Sequence, residues 1–306
     1  MKFTPLTKEH HAQWSKLLAI CFKRSPEDML ALLDWLHQLG HVVAWGAWDK
    51  DKLVAQYTSL LRQLCHNQQT ILAGMSINMA VHPDYRGRGL VKKVSAPVYE
   101  EIDALGAIIG FGFSNAEGVK VDKHSKSYSY RVLGKLHSIL SYLPTTKAEF
   151  LQLSDCLSEQ FRLSVPETNT QKIRFVKSLG TLKIRYQLHP FRQYQYATAD
   201  NIGIVIYRES EQLGIRGVSL MDAYGDNLAE LLKRWASTLK QNGYHFIHTI
   251  ATPQSSVALN LAHTLPTVRL PYSRNLHYLT LRQISADMDM RISDFKYWDF
   301  IGGDIL

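Results

Sequence analysis

The residues best suited to chemistry lie in one run, Val81-His82-Pro83-Asp84-Tyr85-Arg86-Gly87-Arg88-Gly89-Leu90. Two glycines one residue apart let a backbone turn tightly and aim several amide N–H groups into one concavity. The apolar spacing of Leu90, Val94, Val98, Ile102 and Leu105 predicts a helix over 90–105, whose first turn adds partial positive charge at the same place. Arg86, Arg88, Lys92 and Lys93 supply longer-range attraction for a polyanion. A compact diphosphate fits this arrangement better than a long nucleic-acid track does.

The elements that hold the run in place are readable around it. A strand over 75–81 precedes the turn, and 107–113, nearly all apolar or glycine, reads as a strand buried on both faces. Residues 119–132 have helical spacing before Gly134. Upstream, a short strand at 3–6 leads into helices over 8–21 and 26–39, the second announced by Ser25-Pro26-Glu27-Asp28. Strands over 41–48 and 53–61 are joined by Asp49-Lys50-Asp51.

Here the chain resembles the GNAT superfamily of N-acetyltransferases. The superfamily motif is Arg or Gln, two residues, Gly, one residue, then Gly or Ala; Arg86 and Gly89 match, and Val91 departs from the last small position. Two further landmarks fall in register, Asn115 after the buried strand and Tyr130 four residues before Gly134. The resemblance implies acetyl-CoA (coenzyme A) as co-substrate and no metal. It assigns Met79, Ala80 and Val81 to backbone pairing with the pantetheine arm, and Arg86, Gly87, Arg88, Gly89, Leu90 and Val91 to the pyrophosphate. It makes Asn115 a polar contact and Tyr130 the acid that protonates the departing thiolate. Tyr128, two residues away, is the competing ring. A tyrosine of ordinary pKa near ~10 stays protonated at neutral pH and matches a thiolate of similar basicity. The base remains open between a water chain, His82 and an acid from elsewhere.

The implied fold is mixed α/β: tandem GNAT-like domains, each a twisted, mostly antiparallel sheet flanked by helices. A boundary is expected in Tyr142-Leu143-Pro144-Thr145-Thr146, giving a catalytic domain over 1–143 and a degenerate GNAT-like domain over 144–306 with an acceptor-site or structural role. The second half repeats the succession of paired strands (202–208 and 215–221), long helix (226–242), strand (246–251), short helix (253–263) and strand (276–281). Where its phosphate turn would stand, Met221 to Asp226 carries acids instead of bases. Asp222, Asp226 and the terminal acids are then candidates to reach the acceptor amine. The stretches at 184–190 and 297–304 further resemble tandem GNAT proteins linked to bacterial surface polysaccharides.

Bulk composition narrows the classes. The chain has 306 residues, 35 basic against 27 acidic, and 45% hydrophobic content, and no apolar stretch approaches the ~20 residues of a membrane helix. With neither a membrane span nor a signal peptide in the sequence, the cytoplasm is the expected location. Three dispersed cysteines fit free thiols, and His124 and His137 lack partners at metal spacing. The expected partner is a small-molecule amine acceptor, with no nucleic acid; oligomeric state does not follow. The rival readings are a FemABX-like aminoacyltransferase and a non-catalytic acyl-CoA-binding module.

Overall fold

The computed structural model describes residues 1–116, 118, 119, 130–145, 150–157, 171–199, 203–271, 277–286 and 288–305. The first half opens with β1 (Lys2–Pro5), α1 (His11–Phe22) and α2 (Pro26–Leu39). The α2 start follows from its sequence, because Ser25 Oγ accepts from Asp28 N at 3.0 Å, Pro26 fills the first turn, and Glu27 and Asp28 face the positive end of the helix dipole. Then come β2 (Val42–Asp49), β3 (Lys52–His66), β4 (Gln69–Val81), α3 (Leu90–Ala104), β5 (Ile109–Ser114), β6 (Arg131–Lys135) and β7 (His137–Tyr142). The second half supplies β8 (Gln152–Ser154), β9 (Arg174–Phe175), β10 (Gln195–Ala199), β11 (Gly203–Gln212), β12 (Ile215–Gly225), α4 (Leu228–Gln241), β13 (Phe246–Ala251), α5 (Ser256–Thr264), β14 (Thr267–Leu270) and β15 (Tyr278–Gln283).

These strands form two mixed sheets. The first runs β1-β2-β3-β4-β5-β15-β6, with β9 pairing the outer end of β3, and the second runs β14-β7-β13-β12-β11-β10-β8. Pairing along each main path is antiparallel except at one place, β4 with β5 and β12 with β13. The expected tandem architecture is therefore present, with an added feature: each half lends a strand to the other. β15 sits between β5 and β6, and β7 sits between β13 and β14. The position 143/144 thus falls just after a strand that already belongs to the second sheet.

Alternation along β2 sets the layers. Val43 packs with the α3 side chains Val94 and Val98, while its neighbour Ala44 packs with Trp14 and Leu17 of α1 and Leu33 of α2, so the helices cover opposite faces of the first sheet. A shared aromatic cluster joins the halves: Phe175 stacks on Phe300 at 4.8 Å, and Phe111 lies 5.9 Å from both Trp298 and Phe300. Burying such a ring contributes roughly 1.5–3 kcal/mol, so the two sheets are one energetic unit across this seam.

The expected helix over 119–132 needs correction at its end, and residues 120–129 lie outside the described residues. Arg131 and Val132 belong to β6 and pair with Leu281 and Thr280 of β15. A partner more than 140 positions away outweighs local helical spacing there.

Candidate active site

The bend after β4 is built as its residues require. Pro83–Tyr85 forms one turn of 3-10 helix, and Gly87 and Gly89 take φ of 75° and 67°, values that a residue with a Cβ adopts only under strain. Gly89 caps α3. Within the turn Tyr85 N donates to His82 O at 2.9 Å and Arg86 N to Pro83 O at 3.3 Å. The next N–H groups, of Gly87, Arg88, Gly89, Leu90 and Val91, have no acceptor among the described residues. Among the described residues nothing lies within 4 Å of where a Cβ would stand on Gly87 or Gly89.

The long cations of the bend serve first to brace it. Arg88 Nη2 donates to Asp84 O at 2.9 Å and its guanidinium lies 4.7 Å from the centre of the Tyr85 ring, while Tyr85 donates to Asp49 Oδ2 at 2.6 Å. Arg86 Nε donates to Val81 O at 3.3 Å, and Cys21 Sγ reaches the same carbonyl at 3.4 Å. Lys92 and Lys93 are exposed on the first turns of α3.

Beside the bend the sheet opens. β4 and β5 pair only from Ala73–Ser76 to Ile109–Gly112. Past Ser76, β4 carries a bulge: Asn78 has φ of 48°, the register against β3 shifts, and the Asn78 carbonyl accepts from Gln56 Nε2. The strands diverge there and leave a cleft of about 330 Å³. Met79, Val91, Asn115 and Tyr130 line it together, whereas Ala80 is buried against Leu6 and Trp14, and Val81 and Arg86 stand outside it. Asn115 caps the helical turn that follows, its Oδ1 accepting from Gly118 N at 2.8 Å.

Tyr130 belongs to a hydroxyl cluster at the floor of the cleft. Its OH lies 2.7 Å from Ser76 Oγ and 3.4 Å from Tyr57 OH, with a further short contact to Tyr99 OH. Gly110 makes the room, since a Cβ there would come within 2.9 Å of the Tyr99 ring and 3.2 Å of Tyr130 OH. Burial raises the pKa of Tyr130 and raises those of Tyr57 and Tyr99 further, so all three stay protonated through neutral pH. The phenol of Tyr130 is an acid held at a cleft wall, with Ser76 and Tyr99 behind it to accept or return a hydrogen bond. Sequence reasoning missed Tyr57 and Tyr99, whose spacing looks like ordinary core.

The candidate bases fare differently. His82 is buried, its Nδ1 accepting from Asp84 N at 3.4 Å, and it caps the turn without lining the cleft. Asp222 and Asp304 are buried around Lys177, at 2.7 and 2.6 Å, and face a separate cavity. Neither reaches the cleft at Tyr130.

Residues 2–119 match the family described as Acetyltransferase (GNAT) domain. This part of the chain is a GNAT domain. No curated protein matches the chain in sequence. Solved structures share its fold: a conserved protein of Enterococcus faecalis, described as a probable N-acyltransferase, superposes at a TM-score of 0.65 with 13% identity over 92% of this chain and 72% of its own. A GCN5-related N-acetyltransferase from Anabaena variabilis gives 0.66 and 11% over 93% and 73%. A tandem GNAT protein from the clavulanic acid biosynthesis pathway gives 0.57 and 12% over 94% and 99%. At such identities the likeness is one of fold.

The second sheet repeats the opening of the GNAT domain and then fills it. β12 and β13 pair only over Gly217–Ser219 and Phe246–His248. Beyond that point the tail enters: Ile301 bridges Ala251, Gly302 lies against Leu220 O and Ile250 O, and a Cβ on Gly303 would stand 2.6 Å from Met221 O. The segment at 184–190 holds the tail down, with Arg185 donating to Gly303 O at 3.0 Å and to Ile305 O at 2.6 Å. Both stretches that resemble polysaccharide-linked proteins are thus occupied with each other at the seam between the halves. Among the described residues no helix is long and apolar enough to cross a membrane, and no group of three or more His, Cys, Asp or Glu side chains is arranged to hold a metal.

Proposed function

We propose that the chain transfers an acetyl group from acetyl-CoA to the primary amine of a small molecule in the cytoplasm, by direct attack in a ternary complex. One observation carries this reading: the unpaired N–H groups of residues 87–91 open beside a cleft whose floor presents the Tyr130 hydroxyl. The donors suit a pyrophosphate. The edge of β4 freed by the bulge at Asn78 suits the pantetheine amides, and Met79, Val91 and Asn115 stand along that edge. Tyr130 then gives its proton to the sulfur as the carbon–sulfur bond breaks, and no covalent enzyme intermediate is needed. An amino sugar or sugar nucleotide is the acceptor class suggested by the resemblance of the second half; that half acts in this reading by completing the first sheet rather than by binding a nucleotide.

Isothermal titration with acetyl-CoA tests the proposal. Binding is expected for the native chain and its loss for a double change of Gly87 and Gly89 to Val, because both positions need φ above 60°. Absence of binding at millimolar acetyl-CoA overturns it. Binding without thiol release across an amine panel favours the non-catalytic module instead. The unpaired bend also weighs against the FemABX-like alternative, whose transfer RNA substrate has no use for a pyrophosphate cradle.

A further inference from the structure

His277 stands one residue before β15, the strand that the second half lends to the GNAT domain, and lines the cleft with Tyr130 and Ser76. Its backbone is fixed by Leu136 N, which donates to His277 O at 2.9 Å. Among the described residues the imidazole makes no hydrogen bond or ion pair, and its Nδ1 is sealed from solvent. Every other described side chain lining the cleft is a hydroxyl, a carboxamide, a thioether or an apolar group. None of those accepts a proton at neutral pH.

We propose that His277 is the catalytic base that takes the proton of the acceptor amine. The inference rests on the acyl-transfer reading above and completes its proton balance. As the amine nitrogen bonds to the thioester carbonyl, its surplus proton passes to an imidazole nitrogen of His277. As the carbon–sulfur bond breaks, Tyr130 gives its proton to the sulfur. The products are amide and thiol; imidazolium and phenolate then exchange one proton through solvent and the site is reset. The base and the acid come from different halves of the chain, so strand exchange is what assembles the pair.

The environment keeps the ring neutral. Burial pulls its pKa below the ordinary 6.5. Among the described residues the titratable groups around it are Tyr57 and Tyr130 across the cleft and, on β6, Lys135 opposite Tyr278; the facing end of β5 brings Phe113, Ser114 and Asn115. A neutral imidazole at pH 7 is the state a base requires.

The test compares the full chain with His277→Gln over a panel of primary amines, reading thiol release against pH. The native kcat/KM should rise with pH through the histidine titration and then level. In the variant it should fall by about 10²-fold at pH 7, lose that rise, and recover in part with added imidazole, while acetyl-CoA binding and Tm stay as in the native chain. A variant with native rates and the same acidic limb overturns the role of His277 alone. Failure of the native chain to bind acetyl-CoA overturns the acyl-transfer reading and this inference with it. NMR titration of His277 in the substrate-free chain is a second check: a ring still protonated at pH 7 is incompatible with the proposal.

Discussion

Ser76, the last residue of β4 paired with β5, holds its Oγ 2.7 Å from Tyr130 OH. Removing the phenol hydroxyl deletes the proposed proton donor and little else, because Ser76 and Tyr99 remain 3.2 Å apart and can bond to each other. Tyr130→Phe should therefore lower kcat by about 10²-fold with nearly unchanged acetyl-CoA affinity. Steady-state thiol release and calorimetry separate the two effects; native kcat in the variant would mean that the sulfur is protonated from elsewhere.

The same burial predicts an alkaline response. Tyr57 and Tyr99 have folded-state pKa values well above the ordinary 10, chiefly through desolvation. A group whose pKa is raised on folding favours the folded state below its unfolded value, and that stability is lost as pH climbs towards the folded value. Stability should hold to about pH 10 and fall above it. Absorbance at the phenolate band should show these rings ionising late, together with loss of far-UV circular dichroism. Early ionisation with the fold intact would show that water reaches the cluster.

The bend at residues 82–90 was legible because its parts are local: two glycines, a helix cap and a preceding strand lie within a dozen residues. The hairpin of β3 and β4 was only half legible. Its turn places Asn67 and Gln68 at φ of 49° and 65°, and Gln in place of the Gly usual at the second position hides the signal. β15 was foreseen as a strand but not as a member of the first sheet, since its pairing with Ile109–Ser114 has no local mark. For the same reason Tyr57, Tyr99 and His277 look like unremarkable positions in three separate segments. Their chemistry exists only once β3, α3 and the lent strand meet.

Strand exchange makes a prediction about cooperativity. Leu279 and Leu281 of β15 are essentially unexposed, between β5 on one side and β6 on the other. Leu281→Asp buries an unpaired carboxylate in the first sheet while the altered residue belongs to the second half of the sequence. A cost of about 3–5 kcal/mol is expected, and urea unfolding should remain a single transition. The fragment 1–143 lacks β15, exposes the edge of β5 and should aggregate. A soluble fragment with native circular dichroism would show that the lent strand is dispensable.

Lys177 carries the last prediction. Its ammonium is wedged between Asp222 and Asp304, which are 2% and 7% exposed. Burial alone would depress the lysine, yet the two carboxylates outweigh it and hold its pKa above the ordinary 10.5. Asp222 Oδ2 also accepts from Tyr186 at 2.8 Å and from Tyr224, so its lone pairs are committed. Lys177→Met takes from both buried carboxylates the cation they bond, leaving only Arg62 and Arg185 farther along the same cavity, and should cost about 3–5 kcal/mol. Because Asp304 anchors Ile301 N through Oδ2 at 2.9 Å, the tail that fills the second sheet should loosen in the same variant. Adding Asp222→Asn and Asp304→Asn removes the stranded charges and should recover part of the loss, as urea midpoints would record. If Lys177→Met alone is neutral, the carboxylates are not charged in the folded chain, and the tail is held by packing rather than by this triad.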